Sequence, residues 1–127
     1  MNKEYNKLVR DNIPEMIVSE GKTCKYRQAS ETERLDYLKA KVQEELDEFK
    51  EAYKKDSLTN MQKELVDLIT ATLSYIKEKQ NHIPHCDEDI EISADIEELT
   101  DYYRFKLENK GGFKKGYILL EVGDKEC

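Results

Sequence analysis

Val42-Gln43-Glu44-Glu45-Leu46-Asp47-Glu48-Phe49 sets four acids among three apolar side chains. The apolar positions continue in both directions as Leu35, Leu38, Val42, Leu46, Phe49 and Tyr53. Steps of three and four residues mark an amphipathic α-helix, since a half-buried strand would alternate. Ser30 with Glu33 makes a capping box ahead of it, so the helix is expected from there to about Lys55. Asp56-Ser57-Leu58-Thr59-Asn60 reads as a short turn, and Thr59 with Gln62 resembles a second capping box. Met61, Leu65, Leu68, Ile69, Thr72 and Ile76 then carry another helix to about Gln80. A connection this short makes the two helices antiparallel neighbours.

Outward from this pair the punctuation is sparse. Asp11 is expected to cap a short first helix, with Pro14 in its opening turn and Gly21 ending it. Lys22 to Gln28 alternates loosely and is expected to be extended. Asn81 to Asp89 reads as a loop holding Pro84. Ile92, Ile96, Leu99, Tyr103 and Leu107 build a fourth helix that stops at Gly111-Gly112, and Tyr117 to Val122 is a brief apolar run, expected as a strand or an extended arm. The expected fold is all-α, a four-helix-type bundle with a short extended C-terminal segment. One domain should cover residues 1–127, with no internal repeat.

Composition narrows the function classes. Charged residues make up 39% of the 127 and hydrophobic ones 38%, the profile of helices with one buried and one solvated face. With net charge −7, nonspecific binding to nucleic acid or to an anionic membrane is disfavoured. The opening residues lack a signal-peptide core and no apolar run reaches membrane-spanning length, so a cytoplasmic protein is expected. Cys24, Cys86 and Cys127 are an odd set without close spacing, which argues against a disulfide framework.

The acids carry the chemistry. On the first long helix Glu45 falls roughly 60° and Glu48 roughly 120° from the apolar stripe, with Glu44 farther round. Glu64 and Asp67 border the stripe of the next helix. Glu45/Glu48 and Glu64/Asp67 are both i, i+3 pairs, so each pair shares a face. Two carboxylates about 6 Å apart repel by roughly 3 kcal/mol at an effective dielectric near 20, a cost relieved by a doubly positive ion between them. Oxygen donors in this number suit Mg²⁺, which takes a few carboxylates together with phosphate oxygens. The same charges serve equally as a solvated acidic face. A di-iron carboxylate bundle needs Glu-x-x-His, and neither His82 nor His85 has a glutamate three residues before it.

Glu-Glu-x-x-Glu at residues 44–48, followed after 15 intervening residues by Glu-x-x-Asp at 64–67, resembles the signature of the MazG-type all-α nucleoside triphosphate pyrophosphohydrolases. Lys7-Leu8-Val9-Arg10-Asp11-Asn12-Ile13-Pro14-Glu15 is similar to the opening of their phosphoribosyl-ATP-pyrophosphohydrolase-like branch, and Gly111-Gly112-Phe113 to that branch's C-terminal motif. The resemblance implies hydrolysis of a nucleoside triphosphate to the monophosphate and pyrophosphate, with noncanonical nucleotides as possible targets. It implies Mg²⁺, with Mn²⁺ able to substitute. By position, Glu45, Glu48, Glu64 and Asp67 match the metal ligands, and Glu44 matches the acid that orients or deprotonates the attacking water. It also implies a homodimer or homotetramer. Two alternatives stay open: a noncatalytic helical module with a structural cation, and hydrolysis of another pyrophosphate such as that of phosphoribosyl-ATP.

An acidic protein that binds polyphosphate needs placed cations. Lys106 borders the apolar stripe of the fourth helix and matches a lysine that the family places before its glycine pair, so it is assigned to phosphate, with a surface lysine snorkelling along the bundle as the equal alternative. Lys110 stands where the branch has arginine, which replaces a bidentate fork with a point charge. Lys7 and Arg10 flank the start of the first helix and serve either phosphate or a structural ion pair. Gly111 to Gly116 lacks the Gly-Lys-Ser/Thr ending of a P-loop. His82, His85 and Cys86 share a loop without a second ligand cluster, so an ordinary loop is expected rather than a zinc site. Tyr102, Tyr103 and Phe105 are expected in the core, with base stacking as the alternative.

Overall fold

The short turn and the paired stripes produce a helical hairpin. In a computed structural model, which describes residues 3–82 and 95–124, the chain is all-α. Its helices are α1 (Ile13–Ser19), α2 (Glu31–Lys54), α3 (Leu58–Asn81) and α4 (Ile96–Lys110), with no strand among the described residues. The chain divides into two units, Met1–Ala94 and Asp95–Cys127.

In the first unit, α2 and α3 pack against each other. The capping box at the start of α2 forms as its residues require: the Ser30 backbone N–H donates to Glu33 Oε1 at 2.9 Å. Arg27 reaches the same carboxylate and, with the Ser30 contacts, holds Glu33 down to a pKa of about 2. The α2–α3 turn differs from expectation. Ser57 caps α3 by accepting from the Asn60 N–H at 3.4 Å, so the helix begins at Leu58 and Thr59 lies inside it. Asp56 holds φ at 51°, a left-handed conformation that lets three residues reverse the chain. The first helix is capped at Asn12 rather than Asp11, without a side-chain cap bond, and ends at Ser19. Residues 22–29 form neither helix nor strand, and Cys24 is a half-buried free thiol.

Ala52 and Ala71 are the only buried apolar residues among those described, while Tyr53, Leu58, Leu65 and Val66 are exposed. Hydrophobic burial within this hairpin is therefore thin.

In the second unit, the Asp95 side chain caps α4 by accepting from the Glu97 N–H at 2.8 Å. Gly111, at φ 76°, ends the helix as its sequence position suggested. Ile92 lies outside the described residues, as do His85 and Cys86 of the candidate loop and Cys127. Tyr102, Tyr103 and Phe105 are exposed within this unit. Residues 117–124 are exposed and belong to no regular element. No described helix is long and apolar enough to cross a membrane.

Candidate metal centre

Register in the hairpin follows from counting. Glu48 lies six residues before Lys54, the last residue of α2, and Glu64 lies six after Leu58, the first of α3. At about 1.5 Å per residue both stand at the same height above the turn. Glu45 lies one turn farther along the face of Glu48. The outcome is a cluster: one carboxylate oxygen each from Glu45, Glu48 and Glu64 lies within 4.8 Å of the others.

Glu45 is only 5% exposed, more buried than either core alanine. Its Oε1 receives Lys41 Nζ at 3.1 Å. Its Oε2 and Glu64 Oε2 are buried without a hydrogen-bond partner among the described residues. A buried ionised oxygen left unpaired is costly, and three anions in contact add repulsion. Burial and then the proximity of Glu48 push the Glu45 carboxyl above its usual range, against the opposing pull of Lys41. Burial and then shared hydrogen bonding with Glu64 do the same to Glu48. Three converging carboxylates, two of them with an unpartnered buried oxygen, fit a hard divalent cation, whose charge would answer both penalties.

The other two acids have partners. Glu44 takes Lys7 Nζ on Oε1 at 3.3 Å and Lys41 Nζ on Oε2 at 3.4 Å. Burial works against ionisation there, but the two ammonium groups outweigh it and lower the Glu44 pKa. Asp67 takes Arg10 Nη2 at 2.6 Å, and the same nitrogen donates to Thr70 Oγ1 at 3.3 Å. Asn6 Oδ1 accepts from the Tyr37 hydroxyl at 2.8 Å. The N-terminal segment thus spans the hairpin, holding α2 through Asn6 and Lys7 and α3 through Arg10.

Of the expected ligands, Glu45, Glu48 and Glu64 converge, while Asp67 engages Arg10. Lys7 and Arg10 are in ion pairs. Lys106 lies on α4 with its Nζ 5.1 Å from the centre of the Tyr102 ring, and Lys110 occupies the last turn of that helix. Lys41 was overlooked, although its i, i+4 spacing to Glu45 and i, i+3 spacing to Glu44 place it on their face. Burial opposes its charge, but Glu45 and Glu44 together raise its pKa.

A helical hairpin that gathers three carboxylates, two of them with an unpartnered buried oxygen, defines an all-α protein with an acidic centre able to hold a metal ion. The chain belongs to the phosphoribosyl-ATP pyrophosphohydrolase family, whose model matches residues 5–84. It is therefore a pyrophosphohydrolase of a metal-dependent family. The matched span takes in the N-terminal segment and the whole of α2 and α3. No curated protein and no solved structure matches the chain.

Proposed function

We propose that the protein hydrolyses nucleoside triphosphates to the monophosphate and pyrophosphate, with Mg²⁺ as the cation and Mn²⁺ as a substitute. The carrying observation is the convergence of Glu45, Glu48 and Glu64 with two buried oxygens lacking partners. Those three would hold the ion, and Asp67 would join them as a fourth ligand if Arg10 released it. When bound, the cation supplies charge neutralisation and polarisation of the phosphate.

In the reaction a water oxygen forms the new bond to the α-phosphorus, and the bond from that phosphorus to the bridging oxygen breaks. The displaced pyrophosphate keeps the electron pair. Glu44, ionised at neutral pH like any ordinary carboxylate, orients the water and accepts its proton once Lys7 and Lys41 turn to phosphate. Lys7 and Arg10 exchange their carboxylate partners for phosphate oxygens as substrate enters, with Lys106 and Lys110 further candidate contacts. Exposed Leu65, Val66 and Leu58 beside a hairpin with little core of its own support assembly as a homodimer or homotetramer. Clearance of noncanonical nucleotides fits this activity.

A second reading is supported by the family description: the substrate is phosphoribosyl-ATP, cleaved at the corresponding anhydride. A panel of nucleoside triphosphates and phosphoribosyl-ATP, scored for pyrophosphate against orthophosphate with and without Mg²⁺, tests both. Metal-dependent pyrophosphate release is expected. Orthophosphate as the product, or equal rates in EDTA, overturns the proposed reaction.

A further inference from the structure

Beside the acidic centre, between the N-terminal segment and α2, runs an open groove of about 300 Å³. Asn6, Lys7, Asp36, Tyr37, Lys41 and Glu44 line it. Lys41 belongs to the groove and the metal centre alike, since it reaches Glu44 in the first and Glu45 in the second. The groove therefore leads into the place where phosphate chemistry would occur.

We infer that this groove receives the nucleoside half of the substrate, with Tyr37 as the stacking platform for the base. The assignment rests on the proposed nucleotide chemistry and adds which residues select the substrate. Order along α2 supports it. Tyr37, Lys41 and Glu45 follow one another at intervals of four residues, each interval about 6 Å of helix axis. A base on Tyr37 places the ribose over Ala40 and Lys41 and the α-phosphate at the carboxylates. Tyr37 to Glu45 spans about 12 Å of helix axis, a little over two turns, which leaves room for a nucleoside and its first phosphate between ring and carboxylates.

The polar groups suit a nucleoside better than a peptide or lipid. Arg27 lies over the Tyr37 ring at 6.0 Å, and Asn6 accepts from its hydroxyl, so the ring is held from two sides. That bond uses Asn6 Oδ1 and leaves its amide N–H groups as donors. Asp36, exposed on the adjoining wall, supplies acceptors. A donor and an acceptor at the edge of an aromatic platform are what base recognition requires. Lys7 and Lys41 bring positive charge to the phosphate end.

Calorimetric titration, with Mg²⁺ present, of a nonhydrolysable nucleoside triphosphate and of inorganic tripolyphosphate tests the assignment, because only the first carries a base. Ala40→Leu fills the groove from an exposed helical position where leucine is a good helix former. Tyr37→Leu removes the ring, and Tyr37→Phe keeps it. The first two should weaken the nucleotide about tenfold, with tripolyphosphate affinity in Ala40→Leu unchanged. Tyr37→Phe should stay within about threefold of the parent for nucleotide. Equal affinity of parent and Ala40→Leu for nucleotide, or parallel loss of both probes, overturns the groove assignment alone. Failure of tripolyphosphate to bind the parent protein overturns the phosphate reading as well.

Discussion

Five carboxylates on the same two helices meet opposite fates. Glu44 and Asp67 are each answered by a cation from the N-terminal segment, Lys7 and Arg10, with Lys41 also on Glu44. Glu45, Glu48 and Glu64 crowd together, and among the described residues only Glu45 of the three has a cationic partner, Lys41 on Oε1. The first set is electrostatically complete as it stands. The second carries a repulsion of its own, because folding has drawn like charges together and left two buried oxygens without a partner among the described residues. Charge clusters in one sequence motif thus divide into paired and crowded members by what crosses over them.

The contrast can be broken most severely at the crowded set. Glu64→Gln and Glu45→Gln should each lower metal-dependent pyrophosphate release by about a hundredfold or more, since even residues that only support a metal ligand cost 10–100-fold. The metal-free variants should melt no lower than the parent, with Glu45→Gln gaining about 1 kcal/mol from relieved repulsion. A large loss of metal-free stability would show that the three acids are structural.

Saturating Mg²⁺ should raise the melting temperature of the parent by about 5–10 °C, the shift expected of roughly 2–3 kcal/mol of binding at a hundredfold excess over Kd. Thermal melts of Glu45→Gln should show little of that shift. Equal shifts in both proteins would place the ion elsewhere.

Acidity offers a gentler test. Glu45 and Glu48 have folded pKa values above the ordinary 4.5, so protonation favours the metal-free fold. Their contribution is complete below 4.5 and disappears as pH rises through the raised values. Glu33 has the opposite sign: its contribution is present above 4.5 and is lost as pH falls through about 2. Denaturant titrations of metal-free protein should therefore show a component that weakens above pH 4.5, and Mg²⁺ should abolish it. A metal-free profile without that component in the parent would contradict the crowding.

The smallest effect belongs to the answered set. A double-mutant cycle on Arg10→Ala and Asp67→Asn should return a coupling of about 0.2–1 kcal/mol, as both side chains are partly exposed, at 53% and 38%. If Asp67 also becomes a ligand, Asp67→Asn will lower activity far more than this coupling implies. An unchanged rate in Asp67→Asn would assign Asp67 a structural role alone.

Much of this was legible in residues 30–80. The Ser30–Glu33 box and the steps from Leu35 to Tyr53 specify α2 locally, and i, i+3 spacing puts Glu45 and Glu48 on one face. The start of α3 was less legible because Ser57 and Thr59 compete for the cap, and Ser57 wins by accepting from Asn60. The diversion of Asp67 was not determined by local pattern: Arg10 lies 57 residues away, and only the path of the N-terminal segment brings them together. The sequence did leave room for it by treating Arg10 as either a phosphate contact or a structural partner. Lys41 was legible and missed, since a lysine one turn before a glutamate on one helical face is a local signal.

Equal counts on either side of the α2–α3 turn turn the linker into a gauge. Adding or removing one residue between Lys54 and Leu58 would shift one helix against the other by about 1.5 Å and rotate its faces by about 100°. Glu64 would then leave the level of Glu48 even though every acid was retained. Homologues and engineered variants should consequently tolerate exchanges of chemistry at Lys55, Asp56 and Ser57 more readily than any change in their number.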